Sequence, residues 1–403
     1  MAAQAGGRRR CLPAVWLLCW RNVDGRHRGS SRGRTAYLRE TEPLLREPPL
    51  PAGRDKQAAS GICRQNWNWQ TRIETQTKHL RFVVIGAGRL GASLGLALRA
   101  RGEMLLGYTA GSEAGRARAE GWLGGRASAT LTHLVTAAPD LYIIAVPDRA
   151  LPGVAQELGA ALAEAGPRTP GLDSTGAPPP TDVFVAHTSG ATSSDVLRPC
   201  EEAGAATFVF HPLQTFSDPL TGADRFAGAA IAVTPADPDQ ESPALSLGFS
   251  LAHLLGAHPF ALPDDKRSLY HAAASFACNY FVTLEHHAKS MFVKAGLPED
   301  EALALFLPLV RATLDNMAAQ GTVEALTGPL SRGDVHTIAS HLDALAADAP
   351  HLLGAYRALG LATLDLVRAR DEVSPMVIVE LERLLQAMEP RPPSPPREDT
   401  PGA

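Results

Sequence analysis

His271, Ser275 and Asn279 stand at i, i+4 and i+8 of one apolar segment, so a helix there carries them along one face. Their neighbours Ala272, Ala273, Ala274, Phe276, Ala277 and Cys278 are small or apolar. A polar stripe on such a helix is either a buried hydrogen-bond ladder or the wall of a cleft. An imidazolium near neutral pH can protonate the heteroatom of a C=O or C=N group as a hydride reaches its carbon, while an amide or hydroxyl orients the substrate. Two further histidines follow short apolar runs, in His187-Thr188-Ser189-Gly190 and in His211-Pro212-Leu213-Gln214-Thr215. Each reads equally as a loop brace or as a group that does chemistry. The expected proton donor is His271, with His211 next in line. Ser275, Asn279 and Ser189 are expected to orient the substrate, and Gln214 to line its site. Arg332, in the stretch Thr327 to Asp334, suits a bidentate clamp on a carboxylate. The alternative for Arg332 is an ion pair with Asp334 or a neighbouring subunit, and Asp334 itself reads as a helix N-cap.

Such groups need a scaffold that holds a hydride carrier, and Arg81 to Ala97, RFVVIGAGRLGASLGLA, reads as one. A β-branched run, Val83-Val84-Ile85, leads into Gly86-Ala87-Gly88-Arg89-Leu90-Gly91, and a helical apolar pattern follows. In that strand–turn–helix order, Gly86 permits the tight turn, Gly88 lets a pyrophosphate approach the backbone, and Gly91 lets the helix pack on the sheet. The helix N-terminus adds a positive dipole end. An NAD site usually has an acidic residue at the end of the second strand, to bond the ribose hydroxyls. Here that corner reads Gly107-Tyr108-Thr109-Ala110-Gly111-Ser112 and has no acid. Thr109, Ser112 and Arg116, with Arg89 in the glycine loop, suit a 2′-phosphate, so the corner favours NADP over NAD. The nicotinamide ring is expected to pass Ala145, Val146 and Pro147.

Strand and helix patterns alternate from residue 80 to about 235 and imply a doubly wound parallel sheet, an α/β Rossmann domain. Beyond residue 240 the 3.6-residue period dominates. The expected layout is therefore a disordered extension, or one foreign to the enzyme, over 1–79; an NAD(P)-binding domain over 80–237; a helical substrate and dimerisation domain over 238–388; and a disordered Pro-rich tail over 389–403. The chain of 403 residues has a net charge of −4 that conceals an asymmetry. Residues 1–80 hold 15 Lys and Arg against 6 Asp and Glu, a net of +9, so the remainder carries −13. An acidic main body argues against a nucleic-acid partner. The five cysteines show no spacing for metal or for a disulfide framework, which suits a reducing compartment and a cytoplasmic location. No apolar run in the sequence approaches the ~20 residues that span a bilayer, so no membrane partner is expected.

Taken in order, RFVVIGAGRLGASLGLAL, DLYIIAVPD, HTSGA, HPLQTF, HAAASFACNY and TGPLSRGD resemble an uncharacterised family of Rossmann-like proteins with a C-terminal domain of unknown function. That family is similar to ketopantoate reductase, pyrroline-5-carboxylate reductase and the deazaflavin-dependent NADP oxidoreductases. The resemblance spans roughly residues 80–370. It implies an NAD(P)-binding fold joined to a helical domain of the 6-phosphogluconate-dehydrogenase C-terminal type, and a homodimer formed through that domain. Ketopantoate reductases place a lysine and an asparagine on the first C-terminal helix. Asn279 matches the asparagine, but Lys266 lies too early to take the lysine's role. The serine- and threonine-rich loop of pyrroline-5-carboxylate reductase is replaced by TGPLSRGD. The resulting expectation is an NADP-dependent oxidoreductase acting on a small keto or imino acid; the rival is a non-catalytic NADP-binding sensor or scaffold.

Overall fold

The computed structural model describes residues 79–128, 130–166, 183–236 and 242–387. The expectations for an N-terminal extension, up to residue 78, and for the Pro-rich tail lie outside the described residues. Among the described residues, seven strands form one sheet in the order β2-β1-β3-β4-β5-β6-β7. Along the chain run β1 (Arg81–Ile85), α1 (Arg89–Arg99), β2 (Met104–Thr109), α2 (Glu113–Leu123), α3 (Leu131–Thr136), β3 (Leu141–Ile144) and α4 (Leu151–Ala165). They are followed by β4 (Phe184–His187), α5 (Arg198–Glu202), β5 (Ala206–Pro212), β6 (Ala230–Pro235), α6 (Pro243–Leu254) and β7 (His258–Ala261).

Alternation along the strands divides the core between the two faces of the sheet. Phe82 and Val84 pack with Leu94, Leu98, Phe208 and Leu251 on one face. Val83 and Ile85 pack with Tyr142, Ile144, Leu158 and Leu197 on the other. Strands buried on both faces read as continuous apolar runs, which is why β1 and β3 were legible.

Two features depart from the expected sheet. β6 runs antiparallel to β5, with Pro212 opposite Ile231. A parallel return needs a crossover, usually through a helix. Residues 213–229 instead form short helical turns that pack on α1: the turn Pro219–Gly222 approaches so closely that a Cβ on Gly222 would overlap Ser93. The sheet also extends past residue 237, because α6 leads to β7, which pairs parallel with β6. Four residues, His-Pro-Phe-Ala, are too few for a period-2 signal.

The rest is helical. A 3-10 turn at Asp264–Lys266 opens α7 (Arg267–Ser275), which passes through a π-helical turn, Phe276–Tyr280, into α8 (Phe281–Lys294). Then follow α9 (Ala302–Glu324), α10 (Val335–Asp348), α11 (Leu353–Arg370) and α12 (Pro375–Gln386). Asp334 caps α10, accepting from the Thr337 amide at 3.0 Å. Ile338, Leu342, Leu364, Leu381 and Leu385 form the core shared by α10, α11 and α12.

Candidate functional site

The parallel strands set the site. Ile85 is in register with Thr109 on β2 and with Ile144 on β3; Ile144 is opposite His187 on β4, and His187 opposite Val209 on β5. Gly86, Ala145 and Thr188 therefore leave the sheet side by side, at the carboxyl ends where open α/β sheets bind ligands.

Gly86 turns with φ +95°, a left-handed conformation that a side chain would strain. It also lies so close to β3 that a Cβ would come within 2.7 Å of the Ala145 carbonyl oxygen and of Val146 Cγ1. The loop is tied to the second strand: the Ala87 amide donates to the Thr109 carbonyl at 2.7 Å, and the Gly86 amide donates to Thr109 Oγ1 at 3.2 Å. Gly91 seats α1, since a Cβ there would strike the Gly86 carbonyl. Gly88 differs from both. It is the N-cap of α1 with no side-chain cap and no acid in the first turn, and a Cβ on it would meet nothing within 4 Å. An open helix N-terminus with exposed Gly88 and Arg89 and half-buried Leu90 fits a dinucleotide's phosphates. At the corner, Ser112 caps α2, accepting from the Gly115 amide at 3.0 Å, and Arg116 is exposed.

The loop after β4 is built in the opposite way. His187 is fully buried; its Nδ1 accepts from the Ser189 amide at 3.2 Å, and its Nε2 lies 3.3 Å from the Ser193 carbonyl oxygen. These partners make His187 a loop brace, with the proton on Nε2. Burial first, and then the charge of Arg267, push its pKa down to about 3. Ser189 is buried, and its hydroxyl is engaged with Thr192 at 2.9 Å. From the start of the helical region, Asp264 accepts from Ser193 Oγ at 2.5 Å and from the Ser194 amide at 3.0 Å. Burial alone would raise the Asp264 pKa, but these bonds outweigh it and hold it below the usual value. Arg267 donates to the carbonyls of Ser189, Gly190 and Thr192 and to Thr234 Oγ1.

Above this loop, His211 and His271 meet. Their rings lie 6.0 Å apart at 79°. Both face Gly190: a Cβ there would overlap His271 Nδ1 and lie 2.7 Å from His211 Nε2. His271 Nδ1 is buried and has no hydrogen-bond partner among the described residues. His211 Nδ1 is 3.0 Å from Tyr270 Oη, and Tyr270 packs edge-on against Phe260. Burial, then the charges of Arg267 and His271, push the His211 pKa down to about 4. A ring that stays neutral to that pH orients or accepts; it does not serve as an imidazolium at pH 7.

The other expected residues are more dispersed. Ser275 is half-buried on the helix face that carries His271, whereas Asn279 falls in the π-helical turn and is exposed. Gln214 is exposed and accepts from the Thr215 amide at 2.8 Å. Arg332 is exposed in the turn before α10; the adjacent Gly333 packs against Val373 and Val377 in the helical region. Tyr270, Arg267 and Asp264 were not legible as site residues, because their loop partners lie about 60 to 80 positions away in sequence.

Residues 68–212 match the model of a Rossmann-like domain, and residues 238–363 match that of a domain of unknown function, DUF2520. No curated protein matches the chain by sequence. Among solved structures, a protein from Bacteroides fragilis named as a candidate NADP oxidoreductase is 22% identical, covers 73% of this chain and 99% of its own, and has a TM-score of 0.54. A protein of Thermotoga maritima is 21% identical over 64% of this chain and 88% of its own, with a TM-score of 0.47. A Plasmodium falciparum pyrroline carboxylate reductase with NADP bound is 10% identical over 76% and 98%, also with a TM-score of 0.47. The Bacteroides protein shares the fold; the other two carry no argument for this chain.

Proposed function

We propose that this chain, a Rossmann-like domain followed by a DUF2520 domain, is an NADP-dependent oxidoreductase acting on a small keto or imino acid. The observation that carries the reading is one edge of the sheet, where an uncapped, side-chain-free helix N-terminus at Gly88 lies next to strand ends that lead to the His211–His271 pair. Gly86 to Gly91 would hold the pyrophosphate, Thr109, Ser112 and Arg116 the adenosine 2′-phosphate, and Ala145 to Pro147 the nicotinamide face. When bound, the dinucleotide supplies or takes the hydride. His271 presents its ring beside Gly190 and moves the proton to or from the substrate heteroatom. His211, fixed by Tyr270, orients that heteroatom, and Ser275 lines the same helix face. The cytoplasmic location belongs to this reading.

Fluorescence titration with NADPH and NADH tests the first half. Saturable NADPH binding at least tenfold tighter than NADH is expected, and no binding of either nucleotide ends the proposal. A non-catalytic NADP sensor has two observations in its favour: Ser189 is tied into its own loop, and Arg332 sits in a helical turn. NADPH oxidation against a panel of 2-keto acids and cyclic imines separates the two readings. His271→Ala is expected to lower turnover at least a hundredfold with NADPH affinity unchanged, and unchanged turnover removes His271 from its role.

The same reading includes a homodimer through the helices. Leu269 on α7 and Phe276 in the π-helical turn are each 72% exposed, and Leu309 on α9 is 65% exposed. Helix α9 is long and apolar enough to cross a membrane by length and composition, yet only 11% of its most apolar window is buried within the chain. Apolar faces of this extent are normally covered, and a second copy covers both at once. Sedimentation is expected to show a dimer that Leu309→Lys dissociates.

A further inference from the structure

Arg267 is the largest side chain in the described residues that is fully buried, at 1% exposed. Among the described residues, no carboxylate is hydrogen-bonded to its guanidinium. Four of its five N–H donors are placed on neutral oxygens: the carbonyls of Ser189, Gly190 and Thr192, and Thr234 Oγ1 on β6. The nearby Asp264 carboxylate favours the guanidinium by its charge, but its hydrogen bonds go to Ser193 and Ser194. Burying a cation on neutral acceptors is expensive, and a neutral side chain of similar shape would tie down a loop more cheaply. The charge itself therefore needs an explanation, and it faces the His211 ring.

We infer that Arg267 is a positioning residue for the His211–His271 pair: its four hydrogen bonds fix the loop whose Gly190 separates the rings, and its fixed charge faces the His211 ring. Gly190 has no room for a Cβ between His271 Nδ1 and His211 Nε2, so a small shift of this loop opens or closes the gap between them. The Gly190 carbonyl is held by Arg267 at 3.2 Å, which sets that spacing. The groups facing His211 are Arg267, Tyr270 and His271 from α7, Asp148 from the turn after β3, and His187 from the end of β4. Among them Asp148 favours the imidazolium, while Arg267 and His271 oppose it along with burial. His211 thus stays a neutral partner of Tyr270, and the proposed function assigns the proton to the other ring. The division of labour between the rings rests on the proposed oxidoreductase reading; the positioning does not.

Histidine Cε1–H resonances followed by NMR from pH 8 to 4 test this without cofactor or substrate. In the wild-type protein His211 is expected to stay neutral through pH 5, with a midpoint of about 4. In Arg267→Gln, which removes the charge, the midpoint is expected to rise by about one unit, a tenfold change in proton affinity. In Arg267→Lys the charge remains but the planar fork is lost. There the midpoint is expected to stay low, while amide exchange at Gly190 and Thr192 speeds up at least tenfold. A wild-type midpoint near 6.5, or an unmoved midpoint in folded Arg267→Gln, overturns the inference. If Arg267→Gln does not fold, the wild-type midpoint and the Arg267→Lys exchange rates still decide it. Loss of NADPH binding would sink the proposed function and leave these readouts standing.

Discussion

Two loops leave the same edge of the sheet and are built on opposite principles. The Gly86–Gly91 loop is held from below, by the Thr109 carbonyl and hydroxyl and by the close approach of Ala145, and its upper side is bare. The loop from His187 to Ser194 is held from every side: by its own histidine and serine, by Asp264, and by Arg267. The first keeps backbone groups available for a ligand. The second engages its polar groups internally and presents only what it supports, the His211–His271 pair. A binding loop gains from unmet hydrogen-bonding capacity, whereas a positioning loop gains from having none.

The contrast breaks most completely at Gly86. Gly86→Val forces a β-branched residue into positive φ and against the Ala145 carbonyl. A stability loss of about 2–4 kcal/mol is expected in thermal melts, together with NADPH binding weakened at least a hundredfold. Wild-type affinity in this variant would show that the glycine loop is not the binding loop.

Acid attacks the second loop instead. His187 has a folded pKa of about 3 and His211 of about 4. Both lie below the ordinary value of about 6.5, so the unfolded chain takes up these protons first. The stability associated with the neutral rings is complete above pH ~6.5 and is lost as pH falls towards the folded values, by at most about 1.4 kcal/mol per pH unit for buried His187. Melts at pH 7, 5.5 and 4.5 are expected to show a falling Tm. His187→Gln can keep bonds to Ser189 and Ser193 without titrating, and is expected to flatten that fall. A Tm that is level down to pH 4.5 contradicts the neutral buried histidines.

Smaller changes sharpen the binding side. Thr109→Asp can still accept from the Gly86 amide but brings a carboxylate to the corner. The NADPH-to-NADH affinity ratio is expected to drop at least tenfold, about 1.4 kcal/mol. An unchanged ratio would place the 2′-phosphate elsewhere. Ser112→Ala removes the cap on Gly115 and is expected to cost about 1 kcal/mol of stability, with a shift in nucleotide preference smaller than that of Thr109→Asp.

Much of the sheet was legible because its signals are local. Val83-Val84-Ile85 before three spaced glycines, and LYII before a proline, carry their own environment in their composition. The reversal of β6 was not local: it depends on residues 213–229 docking on α1, a contact written partly in Ser93 and Gly222. The same distinction divides the site. The stripe of His271, Ser275 and Asn279 lies on helical backbone, but Asn279 falls in a π-helical turn and is exposed, and helical periodicity alone gives no sign of such a turn.

By itself the sequence determined the strand–glycine–helix unit, the row of strand ends and the helical second half, since each follows from backbone preference and periodicity over a few neighbours. Only the tertiary structure decided what the histidines are. His187 became a brace and His211 a neutral ring because burial and one guanidinium, brought from about 80 and 56 positions away, fix their partners and their charge. Desolvation and Coulomb interactions depend on distance in space, and no spacing along the chain encodes that.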